Sequence, residues 1–292
     1  MHPILPPELV SAIIEQVVDR TTLISLCSTS KAIGIEASRW LYNNITDILG
    51  RDADRHYRLL KTLVAKPHLA SFVHSYTMDS VALVCKAVED DVSFNDLDSK
   101  KPLDTASVLW VILPHALGLM YNLEYLSFRA FAAEPAAYWA LRKASFQLKE
   151  MHWEARQEGE AMAAFLSTQH RLEILYLSDG LSHPVDPKAC LALRLLGGDS
   201  TTFGRILPGR PLVTNLDWLS SGGEYVKHPL LPALLPELHR ITHFSIEGFS
   251  ARLRLPTFGG HFRDLVAMKL NYIYEVSLAC NFGDRKRSSA CF

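Results

Sequence analysis

The chain has 292 residues, enough for one large domain or two smaller ones, and its 48% hydrophobic and 21% charged content is that of a globular protein rather than a disordered, collagen-like or disulfide-dense one. Thirty lysines and arginines against 31 aspartates and glutamates leave a net charge of −1, so no global electrostatic reason points to nucleic acid or an anionic membrane as partner. Leucine is enriched, at 44 of 292 residues, a composition that favours helical bundles and repeat architectures.

The first 46 residues carry the pattern of three short amphipathic helices. Pro6-Pro7-Glu8 opens the first, with Leu9, Ile13, Ile14 and Val17 at helical spacing, and Asp19 and Thr21 interrupt it. The second begins at Thr22 and aligns Leu23, Leu26 and Cys27. Ser28-Thr29-Ser30 supplies capping hydroxyls for the third, where Ile33, Ala37, Trp40 and Leu41 recur on one face. A unit this small cannot enclose a sufficient core, so it must lean on a partner or on the rest of the chain.

Leu5-Pro6-Pro7-Glu8-Leu9, then Ile13-Ile14 and Val17, the stretch from Asp19 to Lys31, and Ala37 through Trp40-Leu41-Tyr42 together resemble an F-box. The departure is at Ser28 to Ile33, where many F-boxes place a large aromatic residue. The resemblance implies that Leu5, Pro6, Glu8, Leu9, Ile13, Ile14, Val17, Leu23 and Leu26 dock on the Skp adaptor of a cullin-RING ubiquitin ligase.

Residues 47–88 read as a helical connector. Tyr57, Leu60, Leu63 and Val64 form one stripe, Pro67 stops it, and Leu69, Phe72 and Val73 resume it before a short extended run. A similar segment joins the F-box to the repeats in fungal F-box proteins. From 89 to 104 the chain turns acidic, and an exposed loop is expected. Thr105 to Leu123 is 19 residues without a formal charge. Pro114, His115, Gly118 and Asn122 dilute it, and no cationic flank orients it, so a buried helix running into a strand is expected rather than a membrane span.

Beyond that point the chain repeats. The template of an apolar residue, two others, an apolar, one other and an apolar fits at Leu123-Leu126-Phe128, Leu148-Met151-Trp153, Leu172-Leu175-Leu177, Val213-Leu216-Trp218, Ile241-Phe244-Ile246 and Leu265-Met268-Leu270. The starts are separated by 25, 24, 41, 28 and 24 residues, and a degenerate unit at Leu193-Leu196 divides the long gap. This is the leucine-rich-repeat period, one strand and one helix or irregular crossover per unit, with a core shared between neighbours. Helical crossovers are expected at 136–145, 159–169 and 230–238. The asparagine usual eight positions after the first apolar residue is replaced by Phe131, Arg156, Gly180, Ser221, Phe249 and Ile273, so the turns must satisfy their backbone otherwise. The expected fold is therefore α/β: the three-helix segment, the connector, the acidic loop, an irregular solenoid of parallel strands and helices over 105–280, and a frayed tail over 281–292.

Strand parity places Leu126, Leu175 and Phe244 in the core and Tyr125, Tyr176 and Ser245 on the outward face. Trp153 and Trp218 hold core positions of the template. Tyr125, Tyr176 and Asp217 are the candidates for contact with a target protein, aromatics being effective interface anchors. No catalytic set is recognisable. His239 and His243 stand four apart, but in a strand they lie about 13 Å apart and share no ion. Gly197-Gly198 through Gly204 lacks the Lys-Ser or Lys-Thr of a phosphate loop and reads as a turn within a linker, and no GxSxG occurs. The acidic loop lacks the glycine of a calcium loop. Five scattered cysteines without a CxxC pair, and no cationic start ahead of an apolar stretch, point to a reducing compartment, cytoplasmic or nuclear. No metal, cofactor or catalytic role is expected, and the resemblance implies a subunit that binds the Skp adaptor through its first helices and an unknown target protein through its repeats. The alternative is a repeat scaffold that never joins a ligase.

Overall fold

The boundaries of the amino-terminal helices are set by side chains that meet their free N–H groups. In the computed structural model, which describes residues 6–46, 53–80, 105–130, 141, 143–155, 159–178, 181, 183–219, 231–247, 262–271 and 289–291, helix α1 (Pro7–Glu15) starts on its proline. Helix α2 (Arg20–Leu26) starts at Asp19, whose carboxylate accepts from the Thr22 N–H at 2.8 Å and from the hydroxyls of Thr21 and Thr22. These hydrogen bonds, that of Thr22 foremost, hold the Asp19 carboxyl at about 2. Asp19, read from sequence as a helix breaker, is thus the cap of the next helix. Ser30 caps α3 (Lys31–Asn43) through the Ile33 N–H at 3.3 Å.

The chain divides into two compact units, 1–148 and 149–292. In the first, α1 to α3 enclose Ile14, Leu23 and Ala37, ringed by half-buried apolar side chains that include Val10, Val17, Leu26 and Trp40. Helices α2 and α3 approach so closely at Gly34 that a Cβ there would meet the Cys27 carbonyl oxygen at 2.8 Å. Helix α3 leans on α5, with the Arg39 guanidinium over the Phe72 ring at 5.6 Å, and runs directly into β1 (Asn44–Thr46). There follow α4 (Ala53–Ala65), α5 (Pro67–Ala70), β2 (Ser75–Ser80), α6 (Thr105–Leu119) and β3 (Tyr125–Ala130). Strands β1, β2 and β3 are parallel neighbours, with Ile45 opposite Tyr76 and Tyr76 opposite Leu126. Their inward residues Ile45, Tyr76, Met78, Leu126 and Phe128 are all buried. Helix α4 packs on α6, burying Leu60 and Leu63 of the one and Leu109, Ile112 and Leu113 of the other.

The second unit holds β4 (Glu150–Ala155), α7 (Glu160–Ser167), β5 (Ile174–Leu177), β6 (Leu195–Gly198), α8 (Ser200–Ile206), β7 (Asn215–Trp218), α9 (Leu231–Leu238), β8 (His243–Glu247), β9 (Ala267–Asn271) and β10 (Ser289–Cys291). Strands β4 to β9 are parallel and in sequence order, and β10 adds antiparallel to β9. The template residues Met151, Leu175, Leu196, Leu216 and Phe244 form one buried row, and Trp153, Leu177, Trp218 and Ile246 a second. The Phe203 ring of α8 meets Trp218 edge-on at 5.3 Å, which identifies this as the helix-covered side.

Two expectations are corrected here. Gly197-Gly198 lies in β6 and not in a turn, and the presumed linker after it is helix α8, capped by Asp199 on the Thr202 N–H at 2.8 Å. The tail contributes β10, whose pairing covers backbone groups of β9 that an edge strand would expose. The acidic loop, residues 136–140 of the first crossover and most of the tail lie outside the described residues.

Successive strands are joined by a recurring main-chain device. The carbonyl just before one strand accepts two consecutive N–H groups of the next: His74 from Glu124 and Tyr125, Lys149 from Glu173 and Ile174, Glu173 from Arg194 and Leu195, Arg194 from Thr214 and Asn215. Side chains reinforce it in the turns that precede the strands. The Cys190 thiol donates to the Leu166 carbonyl, at the end of α7. The Arg210 guanidinium, 1% exposed, donates to the carbonyls of Ile206 and Pro208 at the end of α8 and of Asp186 one crossover earlier. Arg240 donates to those of Leu207 and Arg210. Burial pushes the Cys190 thiol up to about 11 and lowers the Arg210 pKa, so the thiol is held neutral beside a desolvated cation.

Replacing Arg210 by Met strands three carbonyls away from their donor. Urea denaturation is expected to show a loss of about 2 to 4 kcal/mol, while Arg205→Met, on the exposed face of α8, stays near the parent. Leu126→Ala, Leu175→Ala and Phe244→Ala should each cost about 2 to 5 kcal/mol.

A second test concerns His56 of α4, buried beside Tyr76 with 2.6 Å between Nε2 and the phenol oxygen. Burial lowers its pKa from 6.5 to about 4, so between these values the unfolded chain takes up a proton that the folded chain refuses. Stability should be fully present above pH 6.5 and fall by roughly 3 kcal/mol as pH drops to 4. His56→Gln should flatten that dependence in denaturant titrations at stepped pH.

Candidate functional site

Two surfaces carry the residues singled out from the sequence. On the amino-terminal helices the apolar stripe divides. Ile14 and Leu23 point inward, 3% and 6% exposed, and form the centre of the three-helix core. Leu9 and Ile13 point outward, 50% and 57% exposed, while Pro6 and Glu8 are exposed and Val17 and Leu26 half-buried. Leu5 lies outside the described residues. Helix geometry explains the division, since Ile13 and Ile14 are adjacent in sequence and therefore about 100° apart around the axis. The sequence reading missed Val18, 96% exposed, and the outward Ile24 and Ile35. For two of them the signal was available: Val18 and Ile24 are apolar residues beside Val17 and Leu23, already assigned to helical stripes.

The second surface is the face of the second unit's sheet turned away from the helices. Here the register aligns His152, Tyr176, Gly197 and Asp217 on four successive strands. The Tyr176 hydroxyl donates to Asp217 Oδ2 at 2.5 Å, although β6 lies between them. Gly197 permits this reach. A Cβ at Gly197 would stand 2.1 Å from Tyr176 Cδ1, so the phenol ring occupies the space that any other residue's side chain would fill. On its other flank the ring is stacked on His152, centroids 4.5 Å apart and planes at 16°, and His152 Nε2 is 2.6 Å from Glu150 Oε1. The side chains are linked in a chain: Glu150 to His152 along β4, His152 to Tyr176 across to β5, and Tyr176 to Asp217 on β7.

This arrangement refines the expectation for the outward positions. Tyr125, Tyr176 and Ser245 have the outward parity but are half-buried rather than fully exposed, Tyr176 because its ring lies between His152 and the space over Gly197. Tyr176 and Asp217 are brought together. Tyr125 belongs to β3 of the first unit. Trp153 and Trp218 are buried on the opposite parity, as the template required.

Two grooves flank α3 in the first unit. One, of about 600 Å³, is lined by Cys27, Lys31, Gly34, Ile35 and Phe72; the other, of about 430 Å³, by Arg39, Trp40, Asn43, His74 and Asn122. The first is also lined by Ser28, Ser30, Ser38 and His68, and the second by Ser11 and Glu36, whose carboxylate accepts from the Ser11 hydroxyl at 3.3 Å. Among the described residues no group of three or more His, Cys, Asp or Glu side chains is placed to hold a metal ion. His239 sits in the turn after α9, a correction to its expected place in a strand, while His243 begins β8 with Nδ1 2.9 Å from the Thr242 hydroxyl. No helix of the described residues is long and apolar enough to cross a membrane.

No protein-family model matches the chain, and no curated protein matches it. The reading of its surfaces rests on their own chemistry.

Gly197→Ala is expected to displace the Tyr176 ring and break its bond to Asp217, at a cost of about 1 to 3 kcal/mol in denaturant titration. Amide exchange should accelerate along β5 to β7 and stay unchanged in α1 to α3.

Proposed function

We propose that the protein is a non-catalytic substrate-recognition subunit of a cullin-RING ubiquitin ligase, active in the cytoplasm or nucleus: an F-box-like amino-terminal segment docks on a Skp adaptor, and leucine-rich-repeat-like strands present the outward face to a target protein. The observation that carries this reading is the division of the amino-terminal stripe. A three-helix unit with Ile14, Leu23 and Ala37 inside leaves Leu9 and Ile13 in water, together with Val18 and Ile24. Apolar side chains on a unit with its own core filled gain by burial against a partner, about 25 cal/mol per Å² removed from water. Glu8 flanks the same stripe and supplies a polar edge, and exposed Pro6 extends its apolar surface. On this reading Ile14 and Leu23 act from inside, by fixing the angle between α1 and α2, and Leu9 and Ile13 make the contact. Tyr125, Tyr176 and Asp217 remain the target-facing candidates.

A second reading, a repeat scaffold whose first helices only cap the sheet, draws on the passage of α3 straight into β1, where the Asn43 carbonyl accepts the His74 N–H at 2.9 Å. The two readings part at the surface of α1. Leu9→Asp with Ile13→Asp places both charges in water in the free chain, so folding should be unaffected, whereas in a complex each would be desolvated without a counter-charge. Titration of a recombinant Skp adaptor by calorimetry should give binding to the parent and none to the double variant, with circular dichroism and melting temperature unchanged. Equal adaptor binding by a folded double variant, or no binding by the parent, favours the scaffold.

A further inference from the structure

The larger groove of the first unit has a donor end and an apolar end. Its floor is one face of α3, Lys31, Gly34, Ile35 and Ser38, and its walls are Ser28 just past α2 and His68 and Leu69 of α5. Phe72 lies under Arg39 and lines both grooves, so it marks one end; Lys31, eight positions before Arg39, marks the other. His68, four positions before Phe72, lines this groove and not the second. At the Lys31 end the side chains are donors. The side chains of Ser28, Lys31 and His68 have no hydrogen bond or ion pair among the described residues, and the Ser30 hydroxyl, which accepts from the Ile33 N–H, keeps its own proton to give. Toward Phe72 the lining turns apolar, with Ile35 44% exposed and Leu69 buried.

Among the described residues no carboxylate lines this groove. Glu36, the one acidic residue of α3, faces the second groove, where it accepts from Ser11 and Arg39, and α2 and α5 contain none. Exposed Lys66, two positions before His68, adds a further cation nearby in sequence. The main chain of α3 is not the source of the donors, since Ser30 already takes the N–H groups of Ile33 and Gly34. They are side chains from three segments, with nothing negative between them, in a chain whose net charge is −1. The volume of about 600 Å³ is that of a site for a small molecule. A compact anion would satisfy only the donor end, and an uncharged hydrocarbon only the other.

We infer that this groove binds a small amphiphilic anion, with a phosphate-monoester or carboxylate head against Lys31, His68 and the hydroxyls of Ser28 and Ser30, and a hydrocarbon part laid past Ile35 and Leu69 toward Phe72. Lys31 and Ser38 are seven positions apart on α3, which sets the length of the ligand at about 10 Å. A phosphate head offers three oxygens to these donors and a carboxylate two, so the phosphate monoester is the better fit. Neither Leu9 nor Ile13 takes part, and the inference stands apart from adaptor docking.

Titration calorimetry of the full chain with octyl phosphate, octanoate, octanol and acetate, each below its micelle concentration, separates head from tail. Octyl phosphate should bind saturably at one site and octanoate at the same site more weakly, whereas octanol and acetate should show no saturation over the same range. Cys27, half-buried in the groove wall with Sγ 3.5 Å from Ser38 Oγ, reports the place of binding. Octyl phosphate should slow its alkylation by iodoacetamide, read by mass spectrometry of the peptide that contains it. Lys31→Gln combined with His68→Gln, both at exposed positions, should retain the parent melting temperature and lower the affinity for octyl phosphate about fivefold to tenfold. Ser28→Glu, on the other wall, sets a like charge at the donor end and should abolish binding of both anions. Absence of saturable binding by octyl phosphate, equal affinity for octanol, unchanged alkylation of Cys27 at saturation, or parent-like affinity in both variants overturns the inference.

Discussion

The structure depends on one requirement: the carbonyl groups in the turns between successive strands are buried and must each find a donor. In a stack of parallel strands every unit adds such a turn, and an unpaired buried acceptor costs a sizeable fraction of a domain's net stability. The chain meets the requirement with main chain first, through the carbonyl that accepts two consecutive N–H groups of the next strand. It then uses donors on side chains at the turns themselves. Cys190, Arg210 and Arg240 each reach back to the preceding crossover, so neighbouring units are bonded at the turns as well as along the strands. A buried guanidinium is costly to desolvate, but its fork of donors serves several carbonyls at once. At its carboxyl end, short α8 and the turn after it are tied to the preceding crossover by that residue.

The same stacking shapes the face that the helices leave open. In-register parallel strands bring outward side chains to the 4.8 Å or so of the strand spacing, close enough for rings to stack and for a long side chain to cross one neighbour. Tyr176 does cross, because the neighbour is Gly197. What results is an ordered chain of side chains from Glu150 through His152 and Tyr176 to Asp217.

The amino-terminal helices obey a different constraint. Their three-residue centre is too small to hide every apolar side chain, so the sequence's long apolar stripe cannot be all core. Ile14 and Leu23 take the interior, and Leu9, Ile13, Val18 and Ile24 are left in water. Leaning on α5, through Arg39 over Phe72, covers the opposite side of α3 and leaves the α1 surface open.

Period and parity were legible in the sequence because they are local properties. The template that placed Leu126, Leu175 and Phe244 inside needs only the alternation of a strand and the interval between units, and the helix starts at Pro7 and Ser30 need only a proline or a hydroxyl at the right position. Tertiary structure decided what depends on residues far apart in the chain. Gly197-Gly198 reads as a turn because glycine weakens a strand, and it forms one because Tyr176, 21 residues earlier, fills the space above it. Asp217 was visible as a surface candidate, but its pairing with Tyr176 spans 41 residues and follows only from register. Ile13 and Ile14 are chemically identical neighbours, and which of them is core and which is surface was settled by where α2 and α3 pack. Arg210 carries the widest gap between the two levels: alone in sequence it is one more cation in a Gly-Pro-rich stretch, and only the convergence of three carbonyls from two successive crossovers around it makes it an interior donor, because burial of a charge is tolerated where enough acceptors surround it.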